Sequence, residues 1–295
     1  MPHTPRWFNP VPSGEDNNVA YTTFDFDVTD QVAHIRLNRP DKRNSMTREF
    51  WEEIRHVFAV SIGEERSDVR AAVISSTGPH FTAGMDLSVF GSIVAEKADP
   101  ARRRERFRRG LLAYQDSFSV MEKVRVPVLA AVQGGCIGGG VDMISACDMR
   151  YCTADAFFTI KEIDLGMTAD VGTLQRLPHL IPQGLVRELA YTGRALSAQE
   201  ALRAGLVNTV YATQAEMLEG VLGIARTIAA KSPLAVYGSK EMINYARDHS
   251  VDEALNYMSV WNAAFIHGAD MPEAFTATRE KRAPRFADLD LRKAV

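Results

Sequence analysis

The chain of 295 residues has no apolar run approaching the roughly 20 residues that a membrane span needs, so no membrane partner is expected. A basic excess is missing too: 34 lysines and arginines stand against 37 acids, for a net charge of -3 and a pI near 6.2. A polyanion finds little to hold it, and nucleic acid is not expected as a partner. Cysteine is scarce. The three present, Cys136, Cys147 and Cys152, have no histidine nearby at metal-ligand spacing and read as reduced core thiols, with no metal site. The first twenty residues hold four prolines and two acids, but neither an apolar signal region nor an arginine-rich transit pattern. A loose arm over residues 1–20 is the simplest account. The final "RKAV" is not an address of the Ser-Lys-Leu type, and a cytoplasmic location is the expectation.

What is there alternates between strand and helix signals. "YTTFDFDV" (21–28) and "VAHIRLN" (32–38) flank a polar "TDQ" and predict a hairpin. Phe50, Trp51, Ile54 and Phe58 fall at helical spacing within 47–60, and "RAAVIS" (70–75) has the composition of a buried strand. A helix over about 101–124, a strand at 126–134, a short helix through "GVDMISACD" and strands at "MRYCT" and "AFFTI" continue the pattern. Such alternation predicts an α/β core with parallel pairing, here assigned to residues 21–210. After it, "LSAQEALRAGLVN" carries a Ser197 to Glu200 capping box and a terminal Gly205, and three amphipathic helices follow over 214–230, 234–246 and 251–266. Residues 211–295 thus read as a helical region. The run "ARRRERFRRG" (101–110) has six arginines, either a solvated helix face or a positive rim near a phosphate-bearing ligand.

The densest glycine cluster is "GGCIGGGVDM" (134–143). Its spacing fits neither the G-x-G-x-x-G dinucleotide fingerprint nor a P-loop, which leaves a dinucleotide-dependent oxidoreductase with weak support. What remains is a loop in which missing side chains let a ligand approach the backbone, with amides exposed at a helix start, an arrangement able to hold an oxyanion. A second donor is available in "HFTAGMDL" (80–87), another small-residue turn between a strand and a helix.

In chain order, "LNRPDKRNSM", "FTAGMDL", "VQGGCIGGGVDM", "ACDMRY", "LQRLP", "LSAQEALRAGLVN" and "REKRAPRF" resemble the successive motifs of the crotonase superfamily, the enoyl-CoA hydratases and isomerases, over about residues 21–286. The resemblance implies a spiral of ββα units, a helical C-terminal region that builds a homotrimer or homohexamer, and an acyl-CoA thioester as substrate. It implies no further cofactor, since coenzyme A is part of the substrate. By position, the thioester oxygen would lie between the amides of Met85 and Gly139, with Ala83, Gly84, Asp86 and Gly140 completing the two turns around it.

Hydratases of the superfamily hold water between two glutamates; the matching positions here are Asp142 and, 20 residues on, Glu162. A third acid, Asp170, stands where hydratases usually have glycine. Together with "IGGGVD", "KEID" and "ADVGTLQRLP", this set resembles the Δ3,5-Δ2,4-dienoyl-CoA isomerases of the same superfamily. That implies Glu162 and Asp170 as a proton-transfer pair and Asp142 as an acid that orients or tunes them. Moving a proton from C2 to C6 of an extended chain suits two separated carboxyls better than one. Which of the two is the base is left open, and each acid has a plainer reading. Glu162 could be a strand-end surface charge, Asp170 an N-cap for a helix near Val171, and Asp142 a first-turn acid favouring a helix dipole. Asp164 reads as a surface charge and Asp148 as a structural turn residue. Met85, Phe90, Phe107 and Phe118 are candidates for an apolar acyl pocket or for plain core. The alternatives in function are a 2-enoyl-CoA hydratase using Asp142 and Glu162, and a non-catalytic binding protein on the same fold.

Overall fold

The computed structural model describes residues 20–89 and 99–291. The N-terminal arm expected over 1–20 lies outside them except for Ala20, and so does Phe90. The predicted hairpin is β1 (Phe24–Thr29) and β2 (Val32–Leu37), antiparallel from Phe24 opposite Leu37 to Thr29 opposite Val32. Asp30 and Gln31 connect them with φ of 52° and 64°. Two consecutive left-handed residues make the kind of tight turn whose twist matches that of the flanking strands. Helix α1 (Arg48–His56) buries Phe50, Trp51 and Ile54, then widens into a π-helical stretch, Val57–Glu65, that keeps Phe58 in the core.

From β2 onward the pairing is parallel. β3 (Ala71–Ser76) lies between β2 and β4 (Val128–Val132); β4 pairs with β6 (Met149–Thr153), and β6 with β9 (Thr209–Tyr211). Every residue of β3 and β4 is buried, which explains their unbroken apolar composition: both faces of the sheet are covered. A smaller sheet of β5 (Gly135–Ile137), β7 (Phe157–Thr159) and β8 (Leu196–Ser197) stands beside it. Between the strands run α2 (Pro100–Lys123), α3 (Gly139–Ser145), α4 (Thr173–Arg176), α5 (Gln183–Thr192) and α6 (Ala198–Ala204). α6 carries the predicted capping box, with Ser197 and Glu200 bonded reciprocally and Gly205 in the left-handed C-cap position.

The C-terminal helices are α7 (Gln214–Ala229), α8 (Pro233–Asp248), α9 (Val251–Phe265) and α10 (Asp270–Glu280). α7 places Met217, Val221, Ala225 and Ala229 at four-residue intervals against Ala71, Val73, Leu129 and Ala131. Alternate residues of the same strands, Ala72, Ile74, Val128 and Ala130, face the main core instead. Each well-buried valine or methionine in this layer contributes roughly 1.5–3 kcal/mol. α9 differs: none of its residues is buried, and Val251, Leu255 and Val260 are at least 60% exposed.

Two of the proposed pocket residues are elsewhere. Phe118 is fully buried with its ring centroid 4.8 Å from that of Trp51, so it is core, and Phe107 is 47% exposed on α2. The arginine run occupies the exposed first turns of α2, where Arg102 pairs with Asp99 and Arg109 with Glu105. Cys136, Cys147 and Cys152 are buried free thiols.

Candidate active site

Two strand-to-helix turns meet beyond the C-terminal ends of β3 and β4, two interior strands of the large sheet. Thr82 bridges Cys136, donating its amide to the Gly135 carbonyl (3.1 Å) and accepting that of Ile137 (3.2 Å). On its other side the same turn bridges Met46: the Met46 amide donates to the Gly84 carbonyl at 2.8 Å, and the Asp86 amide to the Met46 carbonyl at 3.0 Å. In a parallel ladder this pattern turns the amide of the residue between, Met85, to the opposite side. That side faces the glycine loop.

Gly84 has φ +83°, and a Cβ there would lie 2.5 Å from the Ile137 carbonyl oxygen and 3.3 Å from the Gly139 nitrogen. A Cβ on Gly139 would lie 3.7 Å from the Met85 nitrogen. The two backbones touch because side chains are missing, as the glycine-rich sequences require. Gly139 opens α3, with Gly138 (φ +53°) as its N-cap, so its amide has no partner one turn back. Neither the Met85 nor the Gly139 amide has a hydrogen-bond acceptor among the described residues. The other residues expected here build the frame. The Ala83 amide donates to the Arg43 carbonyl, and Gly140 packs where a Cβ would meet the Thr82 methyl at 2.5 Å. Asp86 accepts from Ser88 and Ser45, which hold its carboxyl down at about 2, so it pins the turn as a fixed anion.

The acids come from three segments. Asp142, on α3, is 2% exposed, and burial pushes its pKa up to about 6 although it accepts the Thr173 amide at 2.7 Å. Glu162 opens a 3-10 turn, Glu162–Leu165, just after β7, and its Oε1 lies 3.1 Å from where a Gly138 Cβ would stand. Among the described residues its Oε2 is buried without a hydrogen-bond partner. Burial, reinforced by the negative charges of Asp142 and then Asp170, raises the Glu162 pKa to about 7. Asp170 is half-buried, and desolvation raises its pKa as well. A carboxyl with a free, desolvated oxygen and a pKa near neutrality is equipped to exchange protons.

The structure decides between some of the readings. Glu162 is not a solvated strand-end charge. Asp170 is not a helix cap either: the N-cap of α4 is Gly172, and the first amide of that helix is held by Asp142 from another segment. Asp164 pairs with Lys161 on the surface, as expected of a solvated charge. Asp148 accepts the Val128 amide and is bonded by the buried Lys240, whose remaining donors reach the Met121 and Val126 carbonyls. Sequence reasoning passed over His80, whose Nδ1 accepts the Gly135 amide at the root of the glycine loop. It also passed over Gln115, Glu122 and Arg176, which line a polar cavity of about 430 Å³ behind the Asp170 loop. Arg176 lies inside the quoted "LQRLP"; Gln115, one polar residue on a long helix, gave no signal. A second cavity, about 300 Å³ and largely apolar, lies against the same loop and is lined by Ile160, Met167, Ala169, Leu174 and Val186 among others.

The sequence profile of the family described as "Enoyl-CoA hydratase/isomerase" matches residues 27–289. Among curated proteins, the chain is 49% identical over 254 residues to "Delta(3,5)-Delta(2,4)-dienoyl-CoA isomerase, mitochondrial" of Mus musculus, covering 85% of this chain and 77% of that one. It is 42% identical over 261 residues to the protein of the same activity named peroxisomal in Arabidopsis thaliana, covering 88% and 93%. The crystal structure of an enoyl-CoA hydratase from Bacillus anthracis superposes with a TM-score of 0.81 at 31% identity, over 90% of this chain and 99% of that one. These relatives overturn the cytoplasmic location expected from the sequence, because they are named as mitochondrial and peroxisomal proteins. With its expected crotonase-type α/β core, its two converging turns and this likeness along most of its length, the chain belongs to the enoyl-CoA hydratase/isomerase family.

Proposed function

We propose that this protein is a Δ3,5-Δ2,4-dienoyl-CoA isomerase acting in the β-oxidation of unsaturated fatty acids. The observation that carries the mechanism is the position of Glu162: its carboxyl lies over Gly138, one residue before the donor Gly139. A thioester oxygen received by the Met85 and Gly139 amides would bring C1 and C2 of the acyl chain beside it. Two such preorganised donors stabilise a developing enolate by roughly 3–4 kcal/mol each. Glu162 then takes a proton from C2. The electron pair shifts along the chain, the double bonds move from C3 and C5 to C2 and C4, and Asp170 gives a proton to C6. One C–H bond breaks and one forms, so the product is an isomer and no cofactor beyond the CoA of the substrate is required. Return of the proton from Glu162 to Asp170 resets the pair.

Asp142 tunes this exchange. Its charge helps keep the Glu162 pKa near 7, and its bond to Thr173 fixes the segment that carries Asp170. That commitment weakens the hydratase alternative, in which Asp142 would share a water with Glu162. We further propose that the protein works as a homotrimer or homohexamer, supported by the unburied apolar residues of α9 and α10. The deciding experiment supplies a 3,5-dienoyl-CoA and follows the conjugated 2,4-dienoyl chromophore. Its appearance without a water adduct at C3 of an enoyl-CoA supports isomerisation, and efficient hydration with no isomerisation rejects it.

A further inference from the structure

Asp170 sits on a loop with little secondary structure of its own, between the 3-10 turn at Glu162–Leu165 and the four-residue helix α4. Its backbone is nevertheless gripped from three directions. Gln115 Nε2 donates to the Asp170 carbonyl at 2.7 Å. Arg176 Nη1 donates to the next carbonyl, Val171, at 3.4 Å. Asp142 takes the Thr173 amide. Gly172 has φ +133°, and a Cβ on it would run into the Arg176 guanidinium, so the loop is shaped around that side chain.

The two donors are themselves held. Gln115, Ser119 and Glu122 occupy one face of α2 at spacings of four and three residues. Arg176 is bonded to Glu122 through Nε at 2.9 Å and to Ser119 Oγ through Nη2 at 2.9 Å. Glu122 is mostly buried, which by itself would raise its pKa, but the guanidiniums of Arg176 and Arg247 hold it below the ordinary value. A largely buried anion between two cations is a stiff support, and without Glu122 the Arg176 guanidinium would lose its carboxylate partner.

We propose that Gln115 is a positioning residue for the isomerisation, with Arg176 as its partner: together they fix the Asp170 backbone so that its carboxyl meets one end of the conjugated chain. This rests on the assignment of Asp170 to C6. The chemical reason is that one carboxyl must reach a carbon four bonds from the site of deprotonation, and a displacement of about 1 Å can cost a hundredfold in rate.

The test uses the full-length protein. Gln115→Met keeps the volume and removes both donors, and Arg176→Lys keeps the charge beside Glu122 but not the fork. Each is assayed on a 3,5-dienoyl-CoA for kcat and KM, and in deuterium oxide for label entering C2 and C6 separately, with the melting temperature measured alongside. Gln115→Met is expected to lower kcat roughly ten- to hundredfold, leave KM and exchange at C2 near wild type, and slow exchange at C6. Arg176→Lys is expected to shift the same readouts in the same direction. Equal loss at C2 and C6 accompanied by a fallen melting temperature would mean a structural role only and overturn the proposal. So would a wild-type kcat for Gln115→Met while Asp170→Asn is inactive. If Asp170→Asn is itself active, the assignment on which the proposal rests is the part that fails.

Discussion

The Asp142 carboxylate accepts the Thr173 amide at 2.7 Å, joining the first turn of α3 to the start of α4 three residues beyond Asp170. One buried acid thereby caps a helix, fixes the loop of a second acid and raises the pKa of a third. Substitutions separate these effects. Asp142→Asn keeps an acceptor for Thr173 but removes the charge, so the Glu162 pKa should fall from about 7 toward its ordinary 4.5. The acidic limb of the kcat/KM profile should move to lower pH with little change in melting temperature. Asp142→Ala strands a buried amide and should cost about 1–3 kcal/mol of stability, measured by urea unfolding.

The raised acids also set how stability varies with pH. Folded Glu162 titrates near 7 against an ordinary 4.5, and folded Asp142 near 6 against 3.8. Between those values the folded state binds more protons than the unfolded one, so their effect on stability is greatest below about pH 4 and is lost as pH rises through 6 and 7. Glu162→Gln removes the larger shift. Relative to wild type it should gain stability as pH increases from about 4.5 to above 7, followed by thermal melting across that range. Parallel curves for the two proteins would show that Glu162 is not perturbed.

The oxyanion assignment is tested at the backbone. Gly139→Pro deletes one donor and should abolish activity, whereas Met85→Ala keeps its amide and should retain most of it. Gly84→Ala puts a methyl 2.5 Å from the Ile137 carbonyl in a left-handed conformation, which must push the two amides apart. A loss of roughly 10²–10³ in kcat is expected, the cost of one misplaced oxyanion donor. Wild-type turnover by the proline variant would remove Gly139 from the site.

Much of this arrangement is legible in the residues, because it rests on local rules. The hairpin, the capping box at Ser197 and Glu200 and the glycine approach at Gly84 and Gly139 each follow from side-chain period, a cap or a missing Cβ. The unread parts depend on distant partners. β8 and β9 have two and three residues and exist only because β7 and β6 offer them edges. Asp170 looks like a cap until Asp142, 28 positions earlier, is seen to occupy that role. Phe118 has the composition of a pocket wall, yet Trp51 turns it into core.

The exposed face of α9 and α10 predicts assembly. Leu255, Val260 and Phe275 are each at least 60% exposed, and a second copy of the chain seated on these helices would cover them. Light scattering at micromolar concentration should give a trimer or hexamer. Leu255→Asp combined with Phe275→Asp should shift it toward monomer, and a monomeric wild type would exclude the assembly.

Asp170 separates the isomerase from the hydratase. Asparagine at 170 keeps the size of the side chain and leaves the carbonyl held by Gln115 in place, but it cannot exchange a proton. Since Asp142 rather than Asp170 caps α4, loss of a cap cannot account for any effect of the change. If Asp170 supplies the proton at C6, Asp170→Asn should lower isomerisation of a 3,5-dienoyl-CoA by roughly 10²- to 10⁴-fold, as for other positioned acids. KM should change little, and exchange of the C2 proton with solvent, driven by Glu162 and the two amides, should continue. Glu162→Gln should instead stop exchange at C2 and isomerisation together. A hydratase working through Asp142 and Glu162 makes the opposite forecast: Asp170→Asn would run near the wild-type rate, while Glu162→Gln would be inactive toward a 2-enoyl-CoA. Measuring both variants on both substrates assigns the third acid directly, because only the isomerase needs a carboxyl at each end of the conjugated chain.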